Sequence, residues 1–292
     1  MSMKDFEEYL QHKKLRPATI YNLLIYVRRF LQWFEKEGLT PGTCTYNDLL
    51  SLVKKYRDAG FSPHNLNSHL RGIRHYYQWK EEKGEATYNP ALNLTIKGCC
   101  TKLPGDFLSR AQMEQMYTGY QGLSAVQKRN KVIIGFLVYQ GLSRDELQRL
   151  EPSDLHLGRG TVFIRRNPTH RARMLPLAAG QVIGLQEYLT KARLLLLALK
   201  GISSERLVMT TGESAEIKNA VEGLLKELRK KHPFLKDFKQ IRNSVIYHWA
   251  EEKNIREAQY LAGHGSIYST QRYKQANLGD LQKQLGLYHP LR

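Results

Sequence analysis

The sequence predicts a mainly α-helical protein of two domains, the second mostly helical but carrying a small β-hairpin. Three observations lead there. The 292 residues suffice for two domains of ordinary size. Apolar side chains recur with helical period along most of the chain. One stretch, residues 98–107, is rich in turn formers and lacks any period, which divides the chain into residues 1–97, a linker and residues 108–292.

Pro17-Ala18-Thr19 opens a helix whose apolar residues fall at Ile20, Leu23, Leu24, Val27, Phe30, Leu31 and Phe34, with Gly38 as its stop. Asn47 or Asp48 suits the cap of a helix running through Tyr56. Ser62-Pro63 sets a capping serine ahead of a proline at the first helical position. The stripe that follows, Leu66, Leu70, Ile73 and Tyr77, carries Arg71, Arg74 and Lys80 interleaved with Tyr76 and Trp79. Asn89-Pro90 ends this region, because the residue before a proline avoids helical backbone. Past the linker, Ser109 caps a helix and a second is expected over Val132 to Leu150. Gly160-Thr-Val-Phe-Ile-Arg and Arg173-Met-Leu-Pro-Leu are β-prone runs about a turn at Asn167-Pro168. Helical patterns resume at Ala179 and continue to the C-terminus.

Charge narrows the partner. Lys plus Arg number 45 against 27 Asp plus Glu, a formal charge of +18 and a pI of about 9.7. The first hundred residues hold 15 basic and 10 acidic side chains, leaving 30 and 17 for the rest, so the excess concentrates in the second domain. A folded surface of this sign is the footprint of a polyanion binder, since neutralised phosphates release their counterions. The apolar share of 41% excludes a disordered tail or a fibre. Apolar runs such as Leu194 to Leu199 fall far short of the roughly 20 residues a membrane span needs, and Met1-Ser-Met-Lys-Asp-Phe-Glu-Glu has no apolar signal core. Cys44, Cys99 and Cys100 are odd in number and lack metal-site spacing, which excludes a disulfide scaffold and points to a reducing, cytoplasmic setting.

The residues that carry chemistry run from Gly141 to Tyr273, and the most informative of them lie in the last third of the chain. They are Gly141-Leu-Ser-Arg-Asp-Glu146-Leu, the hairpin ending Arg173-Met-Leu-Pro176-Leu, Lys239-x-x-Arg242, Gly263-His264 and Tyr273. Arg242 precedes His264 by 22 residues, and Tyr273 follows it by nine. In this order they resemble the tyrosine recombinase, or phage-integrase-like, family. The helix from Thr19 to Phe34, the Arg71 to Trp79 segment and Asn89-Pro90 look like that family's helical core-binding (SAM-like) domain, so the resemblance covers nearly the whole chain.

The resemblance implies a site-specific DNA recombinase, the integrase or invertase of a mobile element, whose Tyr273 forms a 3′-phosphotyrosyl link and frees a 5′ hydroxyl. The physical logic fits. A phenol of pKa ~10 is a weak nucleophile until cations favour its phenolate, and guanidinium groups clamp developing phosphate charge while staying protonated. By the family's pattern Arg242 clamps the scissile phosphate, His264 hydrogen-bonds it, and Lys239 is a base or phosphate ligand. Arg71, Arg74, Lys80, Arg165, Arg166, Arg171 and Arg173 are candidate DNA contacts, the first three on a basic helix lined by Tyr76 and Trp79 that would lie against DNA. Three positions depart from the pattern. Ser143 stands where the family has arginine, leaving Arg144 one position late; Pro168 aligns with the hairpin lysine; and Lys239 replaces a histidine. These departures support a competing reading, a degenerate member that binds DNA without cutting it.

The resemblance further implies double-stranded DNA as partner and a homotetramer on two DNA sites, with a monomer when free. The closing helix, with Leu278, Leu281, Leu285 and Leu287 on one stripe, would pack into a neighbouring protomer. No cofactor and no metal are expected, because bond energy is conserved in the phosphotyrosine and no Gly-x-x-x-x-Gly-Lys-Ser/Thr loop occurs. His64, His69 and His75 lack carboxylate partners at ligand spacing, which leaves a metal-dependent nuclease with little support.

Overall fold

A computed structural model of the chain describes residues 3–98, 103–201, 204–209 and 217–276. It divides into two units, Met1–Thr101 and Lys102–Arg292.

The first unit is built from α1 (Met3–His12), α2 (Pro17–Glu37), α3 (Tyr46–Asp58) and α4 (Pro63–Glu82). Pro17 occupies the first position of α2, and Gly38 closes that helix in the left-handed conformation. The cap of α3 is Thr45 rather than Asn47 or Asp48. Thr45 Oγ1 accepts from the Asp48 backbone N–H, and the Asp48 carboxylate accepts from the Thr45 N–H at 2.8 Å, a reciprocal pairing that moves the start two residues upstream. Ser62 caps α4 as its position before Pro63 suggests.

The stripe of α2 meets that of α4, burying Ile20, Leu23, Val27, Phe30 and Phe34 against Leu66, Leu70, Ile73 and Tyr77, while Leu31 lies at the margin. Tyr76 and Trp79 do not alternate with cations on a DNA-facing surface. Both are buried, their rings 5.7 and 5.4 Å from Phe6, because large aromatic area gains more inside a core than at its edge. Among the three cations of α4, Arg71 is exposed. Arg74 donates to the carbonyls of Ala91 (3.1 Å) and Leu94 (3.2 Å), and Lys80 pairs with Glu85 at 2.5 Å. Arg74 thus fastens the Asn89-Pro90 segment onto α4, helped by Asn89, which donates to the Arg74 carbonyl.

The second unit comprises α5 (Arg110–Thr118), α6 (Ala125–Val138), α7 (Arg144–Arg149), a three-stranded sheet, α8 (Ala179–Glu187), a π-helical turn (Tyr188–Ala192), α9 (Arg193–Lys200), α10 (Lys218–Lys231), α11 (Phe238–Glu252), α12 (Ile255–Ala262) and α13, described over 267–276. The strands β1 (Leu155–His156), β2 (Thr161–Ile164) and β3 (Arg173–Pro176) are antiparallel in the order β1-β2-β3. Val162 faces Leu175 and Ile164 faces Arg173, the hairpin expected, while two-residue β1 is too short for any periodic signal.

The helix expected over Val132 to Leu150 is two helices. Gly141 takes a positive φ of 56°, which stops the first, and Ser143, extended at its backbone, caps the second. Buried Ile133, Ile134, Phe136 and Leu137 of α6 form the centre of the core. The end of the expected linker belongs to this unit: Leu108 N–H donates to Ser244 Oγ at 2.8 Å, and Gln240 Nε2 donates to the Asp106 carbonyl. Cys99, Cys100 and the leucines 278, 281, 285 and 287 lie outside the described residues. No described helix is long and apolar enough to cross a membrane.

Arg74→Met removes two charge-assisted bonds that close the first unit, so its unfolding midpoint in denaturant should fall by the equivalent of about 1.5–3 kcal/mol. An unchanged midpoint would mean that these carbonyl contacts contribute nothing.

Candidate active site

The site grows from the break between α6 and α7. Ser143 Oγ accepts the Glu146 backbone N–H, and Ser143 N–H and Oγ–H both donate to Glu146 Oε2 at 2.8 Å. This capping box fixes a carboxylate that has no exposed side-chain surface. Two guanidinium groups converge on it. Arg173 of β3, 2% exposed, donates from Nη1 to Glu146 Oε1 at 2.6 Å and from Nε to the Leu261 carbonyl at 2.7 Å. Arg242 of α11 donates from Nη1 to Glu146 Oε2 at 3.2 Å and to the Gly141 carbonyl. Its Nη2 donates to the Ala262 carbonyl at 2.8 Å.

Burial alone would raise the Glu146 pKa, but the charges and hydrogen bonds of Arg173 and Arg242 prevail and lower it to about 2. The carboxylate is therefore ionised at neutral pH, and the three groups form one buried, net cationic cluster.

The loop after α12 packs onto this cluster. Gly263 has a φ of 71°, and a Cβ there would stand 2.6 Å from Arg173 Nη1, so both backbone conformation and space demand glycine. The return side of the hairpin is stitched to the same loop. Arg171 N–H donates to the Gly263 carbonyl at 2.8 Å, and His170 pairs with His264 in an antiparallel bridge. His264 is half-buried with Nδ1 2.9 Å from Thr270 Oγ1. Burial, then the charge of Arg242, pushes its pKa down to about 4, so the imidazole is neutral at pH 7.

Tyr273, 8% exposed, lies on α13 with its ring nearly parallel to that of His264, centroids 6.2 Å apart. Its hydroxyl donates to Asn243 Oδ1 at 2.9 Å. Burial raises the phenol's pKa, and Arg242 and Arg272 oppose that rise. A groove reaches it, bordered by Lys239, Asn243, Arg272 and the 103–106 segment.

Arg242 and His264 thus lie at the Glu146–Arg173 cluster, and Tyr273 stands beside His264 within the field of Arg242. Lys239 is exposed on the ridge between the Tyr273 groove and a second one lined by Ser143, Arg144, Glu222 and Arg242. Arg144, the first residue of α7, is solvent-facing, 4.0 Å from Glu222. Arg165 is committed to Glu151 and Asp154, the latter at 2.9 Å. Arg166 is exposed near Arg149 and Arg206, and exposed Arg171 donates to the Gly265 carbonyl at 3.1 Å. Arg173, in contrast, is an interior group rather than a surface one. Sequence reasoning missed His170 and Asn243. Asn243 is adjacent to Arg242, and the only cue to His170 is its place beside the hairpin turn. No group of three or more His, Cys, Asp or Glu side chains suited to a metal ion occurs among the described residues.

Glu146→Gln leaves two buried guanidinium groups without a counter-charge and should cost about 3–5 kcal/mol of stability. Because the folded pKa lies below the unfolded value of about 4.3, the wild-type contribution is present at neutral pH and is lost as pH falls from about 4.5 towards 2. Unfolding measured across that window should show a steeper acid dependence in wild type than in Glu146→Gln; equal slopes would contradict the assignment.

Residues 106–279 match the phage integrase family, and residues 3–84 match the phage integrase N-terminal SAM-like domain. The chain is 23% identical to tyrosine recombinase XerC of Oceanobacillus iheyensis, covering 98% of this chain and 94% of that one. It is 25% identical to tyrosine recombinase XerA of Thermococcus onnurineus, covering 96% and 93%. Among solved structures it resembles XerH site-specific recombinase bound to a palindromic difH substrate, with a TM-score of 0.75 at 17% identity over 92% of this chain and 80% of that one. It also resembles the Tn1549 transposon integrase in complex with a circular intermediate DNA, with a TM-score of 0.64 at 15% identity over 95% and 98%. With most of its length matched by that family and Arg242, His264 and Tyr273 brought together in one site, the chain belongs to the phage integrase family of tyrosine recombinases.

Proposed function

We propose that this protein is a site-specific DNA recombinase of a mobile element, cutting and rejoining double-stranded DNA through a 3′-phosphotyrosyl link at Tyr273. The observation that carries this is the placement of the Tyr273 phenol beside His264 and within the field of Arg242. Support also comes from the relatives, which are named tyrosine recombinases, and from the neighbours solved with DNA.

In this reading a scissile phosphate sits against Arg242, whose planar donors stabilise the charge that grows on the non-bridging oxygens. Neutral His264 has its Nδ1 engaged by Thr270 and presents Nε2 as a further donor. Tyr273 leaves its bond to Asn243 and attacks phosphorus; its proton passes to solvent through the groove bordered by Lys239. The freed 5′ hydroxyl of one strand is exchanged for that of another, which attacks the phosphotyrosine and restores the backbone. Ser143 takes up the capping of Glu146 where an arginine is otherwise expected, and Arg144 reaches only the outer groove, so Arg242 and Arg173 supply the inner positive charge. Assembly as a tetramer on two sites, monomeric without DNA, belongs to the same reading.

A second reading, a member that binds DNA without cutting, is favoured by one observation: the Tyr273 hydroxyl is buried and already bonded to Asn243. The two separate on a nicked duplex that carries a DNA site the protein binds. Wild type should form a covalent protein–DNA adduct, and Tyr273→Phe should bind equally well and form none. Tight binding by wild type with no adduct would establish the second reading.

A further inference from the structure

The hairpin that approaches the site, Arg165 to Arg173, contains no lysine. Its cations are arginines, which do not release a proton at working pH. Yet breaking a phosphodiester at the 5′ oxygen leaves an alkoxide that needs one. The group in that hairpin able to supply it is His170.

The turn is built to hold this ring in place. Asn167 is buried, and its Oδ1 accepts the backbone N–H groups of Thr169 (2.8 Å) and His170 (2.7 Å). The Asn167 N–H closes the turn on the His170 carbonyl at 3.0 Å, and Pro168 restricts the backbone between them. The bridge to His264 then fixes His170 over the cluster.

Its Nε2 lies 3.2 Å from Arg242 Nη2, while its Nδ1 donates to Thr169 Oγ1 at 3.4 Å and stands 3.4 Å from the carboxylate oxygen Glu146 Oε1. The side chain keeps 17% of its surface exposed, so an incoming DNA strand can reach it. Of the two Nη2 hydrogens of Arg242, one serves the Ala262 carbonyl and the other points at the His170 lone pair. A phosphate oxygen that takes the second hydrogen displaces His170 from it, and the released Nε2 then faces an anion.

We propose that His170 is the proton donor to the leaving 5′ oxygen, with Thr169 bracing its Nδ1, Glu146 supplying a nearby negative charge, and Arg242 handing its Nε2 over to the phosphate. The inference rests on the recombinase reading above. In the cleavage step the bond from Tyr273 Oη to phosphorus forms and the bond from phosphorus to the 5′ oxygen breaks. The electron pair of the broken bond stays on that oxygen, which takes the Nε2 proton and leaves neutral His170. The phenol proton has gone to solvent. Rejoining runs the transfer backwards, with neutral His170 taking the proton of the attacking 5′ hydroxyl.

The charged groups facing the ring are Arg242 from α11, Glu146 and Asp145 from α7, Arg173 from β3, and His264 from the loop after α12. Burial and the arginines disfavour the imidazolium in the empty site, whereas the carboxylates favour it. A bound phosphate adds negative charge and shifts the balance towards protonation, so cleavage should weaken as pH rises through the ring's titration in the complex.

The test compares two forms of that nicked site duplex, one ordinary and one with sulfur replacing the bridging 5′ oxygen, because a thiolate departs without a proton. His170→Gln keeps an acceptor for Arg242 but holds no acidic proton. It should cleave the ordinary duplex about 10²–10⁴-fold more slowly than wild type and the sulfur-bridged duplex at close to the wild-type rate. The loss of wild-type cleavage at high pH should also vanish with sulfur. Equal loss on both duplexes would make His170 a support for Arg242 alone, and no loss on either would make it a bystander; either overturns the proposal. An absence of wild-type adduct on both duplexes, despite binding, overturns the recombinase reading and this inference with it.

Discussion

One buried carboxylate organises the second unit. Glu146 accepts hydrogen bonds from Ser143, Arg173 and Arg242, groups drawn from a helix cap, a strand and a distant helix. Two guanidinium groups packed together in an apolar interior repel each other and are costly to desolvate. The carboxylate between them removes much of that cost and leaves a net positive charge at the site. The cationic character of the site is therefore a property of the core, not of surface side chains that salt would screen.

The same constraint explains the placement of the remaining elements. Arg173 reaches Glu146 only if β3 lies under the loop after α12, and the loop can approach only because Gly263 has no side chain to meet the guanidinium. The hairpin turn then falls beside His264, which brings His170 to Arg242. From that loop α13 carries Tyr273 back over α11, where Asn243 receives its hydroxyl. Ser143 caps α7 and donates to Glu146, and that cap is what holds the carboxylate still.

Much of this was legible in the sequence. The stripe of α2 is recognisable because its buried residues repeat at helical spacing between Pro17 and Gly38, and the hairpin because its short β-prone runs flank Asn167-Pro168. Arg242, His264 and Tyr273 stand out by order and spacing. Other features are set by contacts between distant residues and leave no local signal. The burial of Arg173, the His170–His264 bridge and the bond from Tyr273 to Asn243 depend on segments about 30 to 94 residues apart coming together. Tyr76 and Trp79 misled for a related reason: alternating with cations on α4, they read as a surface, and only Phe6 of α1 and Phe30 of α2 reveal them as core. Likewise Arg74 reads as a phosphate ligand until the Ala91 and Leu94 carbonyls are seen to occupy it.

The claim that Glu146 exists to balance the arginines is tested most directly by a double-mutant cycle on stability, using Glu146→Gln and Arg173→Met singly and together. If the carboxylate and guanidinium compensate each other, the double variant should lose about 1–3 kcal/mol less than the two single losses added. Strictly additive losses would contradict the account, since they would mean that each side chain is stabilised by something other than its partner.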